Sequence, residues 1–197
     1  MESATRSTSL ISTLLVLLLA GSVVGCGHNA TLEVKAMTAG SLSDIGLTPP
    51  APVSSIRAMC APPLGWKLEP LKLTDRTAHQ VWLSPSGNTA YGIIHITLPF
   101  PVGVNLVHWQ FLREMRKKEG EAIDLGEDYD SKLPGLRFVA EGGLYKIRAN
   151  MMLRGSEGWV AYAGTLRGKA VDPGELRLAE QARENTTPGM GSETSVE

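Results

Sequence analysis

Apolar and polar positions divide this chain into stretches of different period. Residues 10–24 are almost continuously apolar, broken only by Ser12, Thr13, Gly21 and Ser22. Residues 27–61 show no sustained period. Residues 62–184 alternate between period two and period 3.6, the marks of strands and amphipathic helices. Residues 185–197 lose the pattern again in Thr, Pro, Gly, Ser and Glu.

Within the patterned region the expected elements follow in order. Pro62-Pro63-Leu64-Gly65-Trp66 is a turn feeding a short strand over 66–69, where Trp66 and Leu68 alternate with Lys67 and Glu69. Residues 80–84 read as a strand with Val81 and Leu83 on one side and Trp82 on the other. Pro85-Ser86-Gly87-Asn88 is a turn. The β-branched run over 91–98 predicts a central strand covered on both faces, closing a hairpin with 80–84. Asn105 is the expected cap of a helix running to about Lys118, with Gly120 beyond its end. Val107, Phe111 and Met115 form its apolar stripe, flanked by Trp109 and Leu112. Gln110, Arg113, Glu114 and Lys117 form its wet face. Arg116, Lys117 and Lys118 suit the negative end of the helix dipole.

An edge strand is expected over 121–125, then an acidic loop over 126–132. Residues 136–141 form a strand with Leu136, Phe138 and Ala140 on one face. Gly142-Gly143 predicts a tight hairpin through positive φ. In the next strand, 144–154, Tyr145, Ile147, Ala149, Met151 and Leu153 point inward, while Lys146, Arg148, Asn150 and Arg154 point outward. A third strand over 159–166 completes a meander. Asp172-Pro173-Gly174-Glu175 opens a last helix with a capping box, its inner stripe being Leu176, Ala179 and Ala182/Arg183. The sum is an α+β domain: an antiparallel sheet of about six strands with helices packed on it. Its expected limits are 62–184, between a disordered spacer over 26–61 and a disordered tail over 185–197.

Composition narrows the chemistry. The formal net charge is −1, too small for broad electrostatic binding to nucleic acid. The two cysteines are Cys26 and Cys60, and Cys60 reads as an inert thiol, since only Arg57 lies close enough in sequence to lower its pKa. His28, His79, His95 and His108 have no spacing to each other or to a cysteine that suggests a metal site. The acidic residues Asp124, Glu127, Asp128 and Asp130 lack the calcium-loop pattern. No nucleophile, redox or phosphate-binding motif stands out, so no enzyme activity, cofactor or metal is expected. Four residues remain as a possible binding set. Trp82 and Tyr91 are expected to share an exposed hairpin face. His95 and His108 are half-buried imidazoles that meet if the first long helix covers the His95 side of the sheet.

Two resemblances add to this reading. The apolar run is short for a membrane span and suits a signal peptide over 1–25. It ends in Val23-Val24-Gly25-Cys26, which resembles the lipobox of bacterial lipoproteins. That resemblance implies diacylglycerol in thioether linkage on the Cys26 sulfur, cleavage before Cys26, and often acylation of the new amino terminus, as by palmitate. Two or three acyl chains hold a protein firmly at a membrane, at about 0.8 kcal/mol per buried CH₂. Removing residues 1–25 takes away Glu2 and Arg6 together, so the charge of the remainder stays at −1. The second resemblance rests on the Pro-Pro-x-Gly-Trp opening, the hairpin, one mid-chain helix, a meander with a Gly-Trp strand start, and a closing helix. This order is similar to the PsbP-like α/β/α sandwich, which includes an extrinsic photosystem II subunit and bacterial lipoproteins. Together they imply a non-catalytic domain held at the cell envelope by its lipid, periplasmic or on the outer surface, which binds an envelope protein partner or aids envelope assembly. The alternative expectation is a small-ligand or metal-binding lipoprotein, with a site between sheet and helix near His95 and His108.

Overall fold

A computed structural model describes residues 39–129, 131 and 133–189. Cys26, the expected signal peptide and Asp130 lie outside the described residues.

The fold begins inside the region read as a spacer. Helix α1 (Ala39–Asp44) leads to β1 (Ala51–Val53), a 3-10 turn (Ser54–Ile56) and β2 (Ala58–Cys60). Leu42, Leu47, Ile56, Ala58, Cys60 and Ala61 are all buried. The spacer assignment is therefore wrong from residue 39 onward. Its apolar side chains are spaced irregularly because they cover the sheet from a winding path, which leaves no helical or strand period to read.

Short strands β3 (Lys67–Leu68) and β4 (Lys72–Leu73) precede the hairpin β5 (Thr77–Leu83) and β6 (Thr89–Thr97). Helix α2 (Val104–Glu119) follows. Its cap is Gly103, not Asn105, and Gly120 ends it in the left-handed region at φ 80°. Then come β7 (Ala122–Gly126), β8 (Leu136–Gly142), β9 (Tyr145–Arg154), β10 (Glu157–Leu166) and helix α3 (Pro173–Glu184). Asp172 caps α3 by accepting the amides of Gly174 and Glu175. The Glu175 carboxylate does not close a box; it accepts from the Ser86 amide and hydroxyl on the β5–β6 turn.

The main sheet has eight strands where the sequence pattern predicts about six; β3 lies within the strand expected over 66–69, whereas β4, only two residues long, shows no period. Its order is β3-β5-β6-β10-β9-β8-β7, with β4 also on β5, and every pairing is antiparallel. A last strand, β11 (Thr187–Pro188), falls in the expected tail. It pairs with β2 in a small second sheet, β1-β2-β11.

Both faces of the main sheet are covered. One buried cluster holds Tyr91, Ile93, Trp159, Ala161 and Ala163 of the sheet with Ala179 and Ala182 of α3 and the 42–61 segment. The other holds Ile94, Ile96, Phe138, Ala140, Ile147, Ala149, Met151, Val160 and Tyr162 with Val107, Phe111 and Met115 of α2. The alternation along β6 feeds both layers: odd positions face α3, even positions face α2. Covering both faces corrects one outward assignment, since Asn150 lies wholly buried on the α3 side.

Candidate functional site

The expected binding residues do not assemble as the sequence suggested. Trp82 is only 7% exposed and stacks on Tyr91, with ring centroids 5.1 Å apart. The two do meet, since they are register partners on adjacent strands. They meet inside the α3-side core, under the 42–61 segment, so they form no binding surface. The Tyr91 hydroxyl lies 2.6 Å from Thr186 Oγ1, and burial holds its pKa well above the usual phenol value.

His95 and His108 are on opposite sides of the sheet. His95 faces α3, with Trp159 as its register partner and ring neighbour at 5.3 Å. Its Nε2 is 3.5 Å from Glu157, close enough for charge attraction and too long for a good hydrogen bond. Burial lowers its pKa, Arg57 lowers it further and Glu157 opposes both. His108 rides on α2 and packs on Phe138 at 4.3 Å, with Nε2 3.8 Å from Asp124 of β7. Burial lowers its pKa too, against the pull of Asp124. No site can contain both imidazoles, because α2 covers the face His95 does not use.

Cys60 is buried, and burial pushes its thiol up to about 12. That is the inert thiol the sequence suggested. The acidic loop is not wholly solvated. Asp128 is buried and accepts from Arg183 Nη1 at 2.8 Å, each side chain about 2% exposed. The helix α2 also differs from its wheel. Gln110 and Glu114 are buried, with Glu114 Oε1 accepting from Gln110 at 3.1 Å and Lys117 at 2.7 Å. Trp109, expected beside the core, is 56% exposed, with the Arg113 guanidinium 5.4 Å from its ring.

That exposed tryptophan belongs to one of two features with functional character. Leu106 lies three residues before it on the same side of α2, and both are exposed, as is Phe100 just before the helix. The Arg116 guanidinium donates to the Ala122 carbonyl and so ties α2 to β7, the outermost strand. There Ile123 and Leu125 are exposed, and the outer edge of β7 pairs with no other described strand.

The second feature was not seen in the sequence. A cavity between α2 and the sheet is lined by His79, Ala90, Ile94, Phe111, Met115 and Ile147, with Glu119, Tyr145, Tyr162 and Gly164 completing it. About 40 Å³ of it is open to water-sized groups, more than one water needs. His79 Nε2 lies 2.8 Å from the Tyr162 hydroxyl. Tyr162 reaches His79 on β5 by lying across Gly92 of the intervening strand β6. A Cβ at Gly92 would overlap the Tyr162 ring. Burial, then the charges of Lys72 and Lys118, hold the His79 imidazole down to about 3. The Glu119 carboxylate accepts the Leu144 amide at 3.0 Å, and burial raises its pKa against that bond. Gly142 and Gly143 leave room for Glu119; neither takes positive φ, so their role is close approach rather than turn geometry. The sequence signals were Gly92 inside a β-branched strand, which reads as an ordinary strand residue, and His79, which lies just before the strand expected over 80–84 and falls inside β5.

Among the described residues no helix is long and apolar enough to cross a membrane. Nor do any three of their His, Cys, Asp or Glu side chains group as metal ligands. Compared with protein-family models and with curated protein sequences, the chain matches none.

Proposed function

We propose that this chain is a non-catalytic domain tethered by lipid on Cys26 at an envelope membrane, where it binds a partner protein. The anchor rests on Val23-Val24-Gly25-Cys26 at the end of the apolar run. The partner surface rests on Trp109, a large aromatic standing in solvent under an arginine, beside Leu106 on the helix that Arg116 ties to the open-edged strand β7. Tryptophan and arginine are the residues that most often carry protein interfaces. An open strand edge invites a further strand. We also read the fold as PsbP-like: hairpin, helix, meander and closing helix, with one long helix on each face, support it.

Two measurements test this. Mass spectrometry of the membrane-bound protein should find Cys26 acylated; a bare thiol in protein released to the medium removes the anchor. A photo-crosslinking group at Leu106, used in intact membranes, should trap a discrete partner. Trp109→Ala should abolish that adduct while leaving the melting temperature unchanged, as expected for an exposed side chain. Recovery of the uncrosslinked monomer alone removes the partner surface.

A further inference from the structure

The end of the sheet opposite β7 carries exposed leucines. Strands β3 and β4 both pair with β5, Leu68 opposite Trp82 and Leu73 opposite Ala78. Opposed residues share a face of the sheet, so both leucines stand on the α3 side, roughly 13 Å apart along β5. Leu68 is 56% exposed and Leu73 65%. Leu64, just before β3, is exposed as well. Leu71 is partly buried and packs on the α3-side core, which roots the loop between β3 and β4. Apolar side chains exposed singly are ordinary; grouped on one rim they mark a contact surface.

The described chain enters the fold at this rim. Leu47 bridges to Pro63, the Thr48 amide donates to the Pro62 carbonyl, and the Leu64 amide donates to the Gly46 carbonyl at 2.9 Å. Gly46 stands two residues after α1, which is six residues long and spans roughly 9 Å. Ala39 comes 13 residues after Cys26. That length of chain reaches at most about 45 Å, however it runs. A lipid on Cys26 therefore attaches the fold by its leucine rim. Strand β7 lies at the other end of the strand order, six spacings or roughly 29 Å away.

The chemistry of the rim suits lipid better than protein. Leucine is under-represented among the residues that carry protein interfaces, where Trp and Tyr are enriched. The tryptophans here, Trp66 and Trp82, are buried. Lys67 alternates with Leu68 and pairs with Glu69 at 2.8 Å, so its stem can lie along the rim while its head stays at headgroup level. We propose that the rim of Leu64, Leu68 and Leu73 inserts into the surface of the bilayer that holds the Cys26 lipid. Three leucines hold a free protein weakly; on a tethered one the insertion is intramolecular, at high effective concentration. The domain then stands with β3 and β4 against the membrane and the β7 edge away from it, open to a partner. This inference rests on the anchor reading and goes beyond it, since a tether alone fixes no orientation.

Fluorescence quenching by lipid decides it. The acylated chain carrying Leu68→Cys, purified from membranes, is labelled with an environment-sensitive fluorophore and placed in phosphatidylcholine vesicles. The introduced thiol is the reactive one, because Cys26 is capped by lipid and Cys60 is buried, its thiol pushed up to about 12. Emission should shift to the blue, and bromines on the acyl chains should quench it, as for a group lying roughly 5–10 Å into the boundary. A label at Tyr129→Cys, on the loop after β7, should show neither change. Leu73→Cys should repeat the Leu68 result. Leu64→Glu with Leu68→Glu in that labelled chain should remove the quenching and leave the melting temperature unchanged, both side chains being exposed. An acylated chain that sediments with the vesicles but is quenched at neither leucine overturns the contact and leaves the anchor standing. Equal quenching at Tyr129 overturns the orientation and with it the proposal. A blue shift without quenching means that a second copy of the chain covers the leucines, and overturns it too. Cys26 found bare by mass spectrometry, in chain left in the supernatant, overturns the anchor and this contact with it.

Discussion

Under α3 the sheet is covered by small side chains and fixed polar contacts; under α2 it is covered by large apolar ones around a cavity. Ala179 and Ala182 let α3 come close, and the space left at its end is filled by the Arg183–Asp128 pair and the Tyr91–Thr186 bond. Trp159 Nε1 donates to the Ile56 carbonyl at 2.9 Å on the same side, which fastens the 42–61 segment. Under α2, the large side chains of Phe111 and Met115 face a cavity whose polar members are the His79–Tyr162 pair and Glu119. One sheet thus carries a side specified by directional bonds and a side specified by volume. Directional bonds are costly to break one-sidedly, whereas volume packing tolerates change and here leaves a small cavity.

The contrast can be broken most sharply on the α3 side. Arg183→Ala strands the buried Asp128 carboxylate, and equilibrium unfolding should show a loss of about 3–5 kcal/mol. The double variant Arg183→Met, Asp128→Leu should recover most of it. A loss below about 1 kcal/mol in the single variant would mean the pair is not buried in solution. On the α2 side the largest effect comes from Gly92→Ala, whose methyl meets the Tyr162 ring. It should destabilise by about 1–3 kcal/mol, as overpacking does, and less when Tyr162→Ala is already present.

Acid separates the faces differently. His79 stays neutral in the folded protein down to about 3, whereas an exposed histidine takes its proton near 6.5. Between those values the unfolded chain binds the extra proton, so stability falls as pH drops, by about 1.4 kcal/mol per pH unit. Above 6.5 both states are neutral and the effect vanishes. His79→Gln should flatten that slope in a series of melts; an unaltered slope would assign it elsewhere. The smallest effects are paired. Tyr162→Phe leaves His79 Nε2 unpartnered and should lower stability by about 1–2 kcal/mol. Tyr91→Phe should lower it by about 1 kcal/mol, because Thr186 also donates to the Ala182 carbonyl at 3.0 Å and keeps a partner.

How far the sequence showed this depends on whether the information was local. The hairpin β5–β6, helix α2, the meander β8–β9–β10 and helix α3 were legible because each carries its own period and its own stop signals, such as Gly87, Gly120 and Asp172. The 42–61 segment was not, because its burial depends on strands β5, β6 and β10, all encoded after it. The same holds for the sites. Trp82 alternates against Val81 and Leu83, so one face had to look exposed, yet both faces are covered by distant elements. Arg183 was read correctly as inward, but its partner Asp128 sat in a run of acids that looked solvated. His79 and Tyr162 are 83 residues apart, and nothing in either neighbourhood names the other.

The short pairing of β2 with β11 joins an early part of the described fold to a late one. Met59 and Ala58 have Thr187 and Pro188 as their register partners. During synthesis β2 therefore holds only β1 until Thr187 and Pro188 arrive, and trimming the chain just after Asn185 would leave that second edge of β2 bare.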